Sequence, residues 1–186
     1  MKTWLFVPGH NEHMLQKALG SDADVVIADW EDAVPPNKKE EAREVVRETL
    51  ATTPSKPRLV LRINGVNTVY YARDLTALEG LPITGIVMPK VGMPAEVLDL
   101  VHLGIPLLPT LETALGIENA FLIAQAHPLV ERLLMGAMDL IGDLGAQWYT
   151  DAVGVLYPRM RMLIAGRAAN LKGSIDSVYP RLGDLE

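Results

Sequence analysis

A chain of 186 residues with 49% hydrophobic content can bury one sizeable core, so a single domain spanning residues 1–186 is the first expectation. A net charge of −6 with no basic run argues against a nucleic-acid partner held through phosphates. The absence of cysteine excludes a disulfide framework, a thiolate zinc site and a cysteine nucleophile, and it suits the cytoplasm. No apolar run approaches the roughly 18 residues of a membrane span, and the apolar amino terminus is too short for a signal peptide.

Trp4 to Val7 is a short apolar run stopped by Pro8-Gly9, which predicts a buried strand and a turn. Leu15, Ala18 and Leu19 with Met14 give helical spacing over 11–19, closed by Gly20. Asp24 to Ala28 predicts a second buried strand, ending in the acidic turn Asp29-Trp30-Glu31-Asp32. Residues 38–50 predict an amphipathic helix whose Lys and Glu side chains form a solvated face, followed by a loop over 52–57. Arg58 to Ile63 is the third expected strand, with Asn64-Gly65 behind it, and Asp74 to Leu78 a short helix. Ile83 to Met88 is the fourth strand, ended by Pro89-Lys90. Pro94 to Leu103 reads as one helix with proline near its start, Ile105 to Leu108 as strand five, residues 117–126 as a helix and Leu133 to Met135 as strand six. Beyond Gly145 the pattern is less regular until 155–170, a helix with Pro158 in its first turn, and Ser174 to Tyr179 predicts a seventh strand.

Strands apolar on both faces alternate with helices at a repeat of about 25–30 residues, which means parallel sheet covered by helices. No glycine-rich phosphate turn follows the first strand, so a dinucleotide fold is disfavoured. The expectation is an α/β fold, a (β/α)8 TIM barrel of the phosphoenolpyruvate/pyruvate type, with the eighth strand and a C-terminal segment missing from this chain. Its site would lie on the loops after the strands.

Two carboxylates stand out there. Glu112 and Asp139 are 27 residues apart, about one strand–helix–strand unit, so both fall at the same end of neighbouring parallel strands. Two acids brought together repel unless a cation or proton sits between them, and with only oxygen ligands at hand the cation is Mg2+. Either acid could instead serve as a helix cap. Arg62, after strand three, would add a cation beside the metal, the pair that a small oxyanion such as a 2-oxo acid or its enolate requires; alternatively it pairs with Asp29 or Glu31 as a structural bridge. Lys90 and Asn64 also stand at strand ends. His10 and His13 are weak candidates, His10 reading as an exposed loop residue, while His102 and His127 fall on the far side from the expected rim. Met135, Met138, Met160 and Met162 read as core filler.

Taken together, LFVPG at 5–9, ADVVIADWEDAV at 23–34, Lys39 with Ala42-Arg43, LRIN at 61–64, MPK at 88–90, PTLETALG at 109–116, GAMDLIGDLG at 136–145 and SIDSVYPRLGD at 174–184 resemble the HpcH/HpaI aldolase–citrate lyase superfamily, most closely its citrate lyase β-subunit-like proteins. The resemblance runs over the whole chain in the family's order. It implies a (β/α)8 barrel, Mg2+ dependence and carbon–carbon bond cleavage or formation. It maps the metal ligands onto Glu112 and Asp139, the substrate-binding arginine onto Arg62, and water-holding contacts onto Glu31 and Asp32. The substrate-binding set is then Arg62, Glu112 and the turn Gly136-Ala137-Met138. The implied partners are a 2-oxo acid such as oxaloacetate and an acyl thioester, with acyl-carrier or lyase subunits where the protein works in a complex; a homotrimer or hexamer is typical. The chain departs from the family at Lys2-Thr3, usually Arg-Ser, at Trp30, usually Leu, and at Met138. Two rivals remain: a 2-oxo-acid aldolase acting on free acids, against which Asp32 stands where that branch places a histidine, and a catalytically silent binding subunit.

Overall fold

The computed structural model of the chain describes residues 3–54, 57–147 and 153–178. They fall into two compact units, Met1–Pro89 and Lys90–Glu186. In the first, β1 (Trp4–Pro8), β2 (Val25–Asp29), β3 (Arg58–Arg62) and β4 (Ile86–Met88) pair in chain order, all parallel. The crossovers carry α1 (Glu12–Leu19), α2 (Lys39–Thr52) and α3 (Tyr71–Leu78). Asn11 caps α1, accepting the Met14 amide at 3.0 Å, which fixes the helix start where the apolar spacing begins. All five residues of β2 are buried, as a strand covered on both faces must be.

The second unit contains α4 (Pro94–Leu98), β5 (Leu107–Leu111), α5 (Ala114–Glu118), α6 (Ala120–Ala124), β6 (Leu133–Met135), α7 (Ala137–Asp143), α8 (Leu156–Ala168) and β7 (Ser174–Ile175). Again β5, β6 and β7 are parallel neighbours in chain order. In each unit the described strands are parallel, in chain order and joined by helical crossovers, the (β/α)-barrel pattern expected.

Several boundaries differ from expectation. Strand five begins two residues later than the apolar run, ends three later and passes through Pro109, because parallel pairing forfeits only one amide there while Thr110 and Leu111 stay in register with Leu134 and Met135. The helix expected over 117–126 is two short helices beginning at the Thr113 cap, whose side chain accepts the Gly116 amide at 3.0 Å. Between them Asn119 turns its amide to the Gly92 carbonyl, at 2.8 Å. Pro94–Leu98 is helical, but Val101–Leu103 is a separate 3-10 turn closed by Gly104 at φ 66°, a conformation that glycine takes without strain. Helix α7 was not expected. Of the methionines, Met135 and Met162 are core, whereas Met138 and Met160 are about half exposed. Tyr179 lies outside the described residues.

Candidate functional site

In the first unit, Asp29 and Arg62 close β2 and β3 side by side in register. Parallel pairing thus sets a carboxylate against a guanidinium at the carboxyl end of the sheet. Arg62 Nε donates to Asp29 Oδ1 at 2.8 Å and Nη2 to Oδ2 at 2.5 Å, while Nη1 lies 3.1 Å from Glu31 Oε2. The guanidinium stands over the Phe6 ring, 5.1 Å from its centroid. Burial alone opposes the charge on Arg62, but the hydrogen bonds and charge of Asp29, then of Glu31 and Asp32, outweigh it and raise its pKa above the ordinary arginine value. The structural bridge considered for Arg62 is therefore present.

The acidic turn is no ordinary solvated loop. Asp29, fully buried, also accepts the amides of Glu31 (2.8 Å) and Ala33 (3.1 Å). Glu31 is buried as well, whereas Asp32 is exposed. Beneath the turn lies a polar network that sequence reading missed. Lys39 Nζ donates to the Trp30 and Glu31 carbonyls, each at 2.7 Å, and Asn64 Nδ2 donates to Trp30 O at 3.0 Å and Asp74 Oδ2 at 2.7 Å. Asp74 in turn accepts Arg43 Nε at 2.8 Å. Lys39 and Arg43 are 6% and 5% exposed, so the solvated-face expectation for 38–48 fails at these two positions. The available signal was their place among the family-like stretches; charge pattern alone does not separate a buried lysine from its exposed neighbours. Burial lowers the Lys39 pKa, against the opposing charges of Asp29, Glu31, Asp74 and Asp32.

Trp30, at the family's leucine position, is fully buried and donates Nε1–H to the Ala42 carbonyl at 3.2 Å. Gly9 makes room for it, since a Cβ there would stand 2.8 Å from Trp30 Cδ1. His10, just beyond, is half-buried rather than exposed, and its Nδ1 is buried with no hydrogen-bond partner. His13 is exposed. His102 Nδ1 meets the Asp99 carbonyl, and His127 Nδ1 accepts the Leu129 amide, both away from the carboxyl ends of the strands.

In the second unit, Glu112 follows directly on Leu111, the last residue of β5, with no intervening turn. It is 2% exposed. It is not the helix cap, a place that Thr113 takes. Its Oε1 accepts the Lys90 amide at 2.7 Å, and Lys90 adopts φ 54°, which side-chain-bearing residues seldom take. On the other side the carboxylate lies on bare backbone: a Cβ at Gly136 would stand 2.1 Å from Glu112 Oε2 and 2.5 Å from its Cβ. The Gly136 amide bonds Leu111 O at 3.2 Å, so the glycine is brought there by β5–β6 pairing. Asp139 is the third residue of α7, in its first turn. Of the expected substrate-contact turn, the Ala137 amide donates to Ser177 Oγ at 3.2 Å and the Met138 side chain is 51% exposed.

A hard divalent cation fits this arrangement. The donors would be carboxylate oxygens, that of Glu112 buried, oriented by the Lys90 amide and laid against Gly136 where any side chain would displace it. Among the described residues no group of three or more acidic or imidazole side chains is gathered for a metal.

A family model for HpcH/HpaI aldolase/citrate lyase matches residues 2–186. The chain belongs to the HpcH/HpaI aldolase/citrate lyase family. A family relative from Cereibacter sphaeroides, a (3S)-malyl-CoA thioesterase, is 36% identical over 183 residues, 97% of this chain and 64% of the relative. The citrate lyase subunit beta of Leuconostoc mesenteroides subsp. cremoris is 35% identical, over all of this chain and 66% of its own length. The chain thus spans about 64% of the length of the thioesterases it matches. Among solved family structures, the citrate lyase beta subunit of M. tuberculosis complexed with oxaloacetate and magnesium superposes with a TM-score of 0.87 at 34% identity, covering 97% of this chain and 80% of that one.

Proposed function

We propose that the protein of which this chain is all or part is a Mg2+-dependent lyase of the citrate lyase β-subunit type, cleaving a citryl- or malyl-like thioester to a 2-oxo acid and an acetyl thioester. The observation that carries the reading is Glu112: a buried carboxylate at a strand's carboxyl end, laid on a glycine that must be a glycine, in a family whose M. tuberculosis member is solved with oxaloacetate and magnesium. Glu112 and Asp139 would hold the ion. When bound, Mg2+ supplies Lewis-acid stabilisation of negative charge on the substrate's hydroxyl or keto oxygen. Arg62, kept cationic by Asp29, binds the substrate's carboxylate or the developing oxyanion through its guanidinium donors. Gly136, against which the Glu112 carboxylate lies, would complete the substrate-binding set with Ala137 and Met138. Glu31 and Asp32 would hold the water that accepts the hydroxyl proton as the carbon–carbon bond breaks; the electron pair passes to the thioester half as its enolate, which takes up a proton at carbon to give the acetyl thioester.

The name of the Cereibacter relatives supports a second reading, hydrolysis of the thioester bond of a malyl-CoA-like substrate. Products separate the two on malyl-CoA: glyoxylate and acetyl-CoA from the lyase, malate and free CoA from hydrolysis. A homotrimer or hexamer in the cytoplasm is the expected setting; no helix among the described residues is long and apolar enough to cross a membrane. The test is calorimetric titration of oxaloacetate with and without Mg2+, into this chain and into Glu112→Gln. Binding that requires Mg2+ and vanishes in the variant supports the site, whereas equal binding without metal or in the variant removes Glu112 and Asp139 from it.

A further inference from the structure

Asp143 ends helix α7 and is exposed. Nothing local favours an acid there. It lies one turn beyond Asp139 on the same face, where like charges repel, and at the helix C-terminus, where the backbone dipole opposes a negative charge. Among the described residues it forms no ion pair. What it does form is a hydrogen bond across the unit: Asp143 Oδ2 accepts the Ala114 amide at 2.7 Å. Ala114 opens α5, so its amide is one that the helix itself leaves without a partner, and Thr113 is already used on Gly116.

This contact falls two residues after Glu112. The segment that carries Glu112 is therefore held by Val91 N–H on Thr110 O, Gly136 N–H on Leu111 O, Lys90 N–H on Glu112 Oε1, and Asp143 on Ala114 N–H. The last comes from within the helix that bears Asp139. We infer that Asp143 is a positioning residue for the metal-binding pair, its hydrogen bond to Ala114 setting the span between Glu112 and α7. The inference rests on the reading of Glu112 and Asp139 as ligands.

The experiment is calorimetric titration of Mg2+ into the full chain and into Asp143→Ala and Asp143→Asn, with exchange of the Ala114 amide followed by NMR. The expected result is about a tenfold weaker Mg2+ affinity in Asp143→Ala, the scale of losing a group that orients a ligand, with faster exchange at Ala114. Asp143→Asn, which keeps an acceptor oxygen but no charge, retains both wild-type values. Wild-type affinity in Asp143→Ala overturns the inference. So does an equal loss in both variants, which assigns the effect to the missing charge. A wild-type chain that binds no Mg2+ removes the ligand assignment itself, and the inference with it.

Discussion

The side chain of Glu112 occupies the space that a methyl group at position 136 would need. Gly136 has φ −103°, which any residue can adopt, so the requirement for glycine is one of approach and not of backbone freedom. Gly136→Ala is expected to push the Glu112 carboxylate off its place. Mg2+ affinity should fall at least about tenfold, and the overpacking should cost about 1–3 kcal/mol of stability; calorimetry and urea unfolding read the two. At this scale the sequence was informative about identity and blind to contacts. Glu112 stands out as the one acid after an apolar run and its turn, and the 27-residue spacing to Asp139 points to neighbouring strands. That Gly136 touches the carboxylate depends on residues brought together from distant positions, and the structure decides for Arg62 between two readings the sequence left open by clamping it on Asp29.

Helices α2 and α3 bring Lys39, Arg43 and Asp74 under the acidic turn, where Asn64 joins them. Removing one member of a buried charged network leaves its partners without compensation. Asp74→Ala strips Arg43 of its carboxylate and Asn64 of an acceptor, and is expected to cost about 3–5 kcal/mol in urea unfolding. Lys39 carries a pH signature. Its folded pKa is lowered from 10.5 by burial, so the folded chain releases this proton before the unfolded chain does. Between the folded pKa and 10.5 the unfolded state binds more protons, and this group makes stability rise with pH; below that window both states are protonated and the cost of burying the charge is felt in full. In Lys39→Met that dependence should vanish, so the stability of the wild type relative to the variant should grow as pH climbs toward 10.5, measured by urea unfolding at stepped pH. Helix α2 itself was legible from its apolar spacing. Which of its charges are buried was not, because amphipathic spacing marks only the face.

Helix α8 presents Leu156, Met160, Leu163 and Ile164 along one exposed stripe, with Tyr157 beside it at 62% exposure. Apolar side chains at such spacing are normally covered. With the oligomer that the family resemblance implies, the expected outcome is a mass by light scattering that is a multiple of the chain's, and a monomer with unchanged circular dichroism in Met160→Glu/Leu163→Glu. A monomeric wild type would count against both the oligomer and this use of the stripe.

By itself the sequence determined the fold class, the family and the acids and arginine at strand ends. Strand–helix alternation at a steady repeat admits few parallel architectures, and family stretches such as LRIN and PTLETALG are spread along the whole chain. The tertiary structure alone decided where β5 ends, that a helix follows Gly136, and which partners hold Asp29, Arg62, Lys39 and Glu112. The physical reason is that periodicity records which face of an element is buried. Hydrogen bonds such as Arg62 to Asp29, 33 residues apart, or Asp143 to Ala114, 29 apart, depend on how the strands align, and no local pattern encodes that.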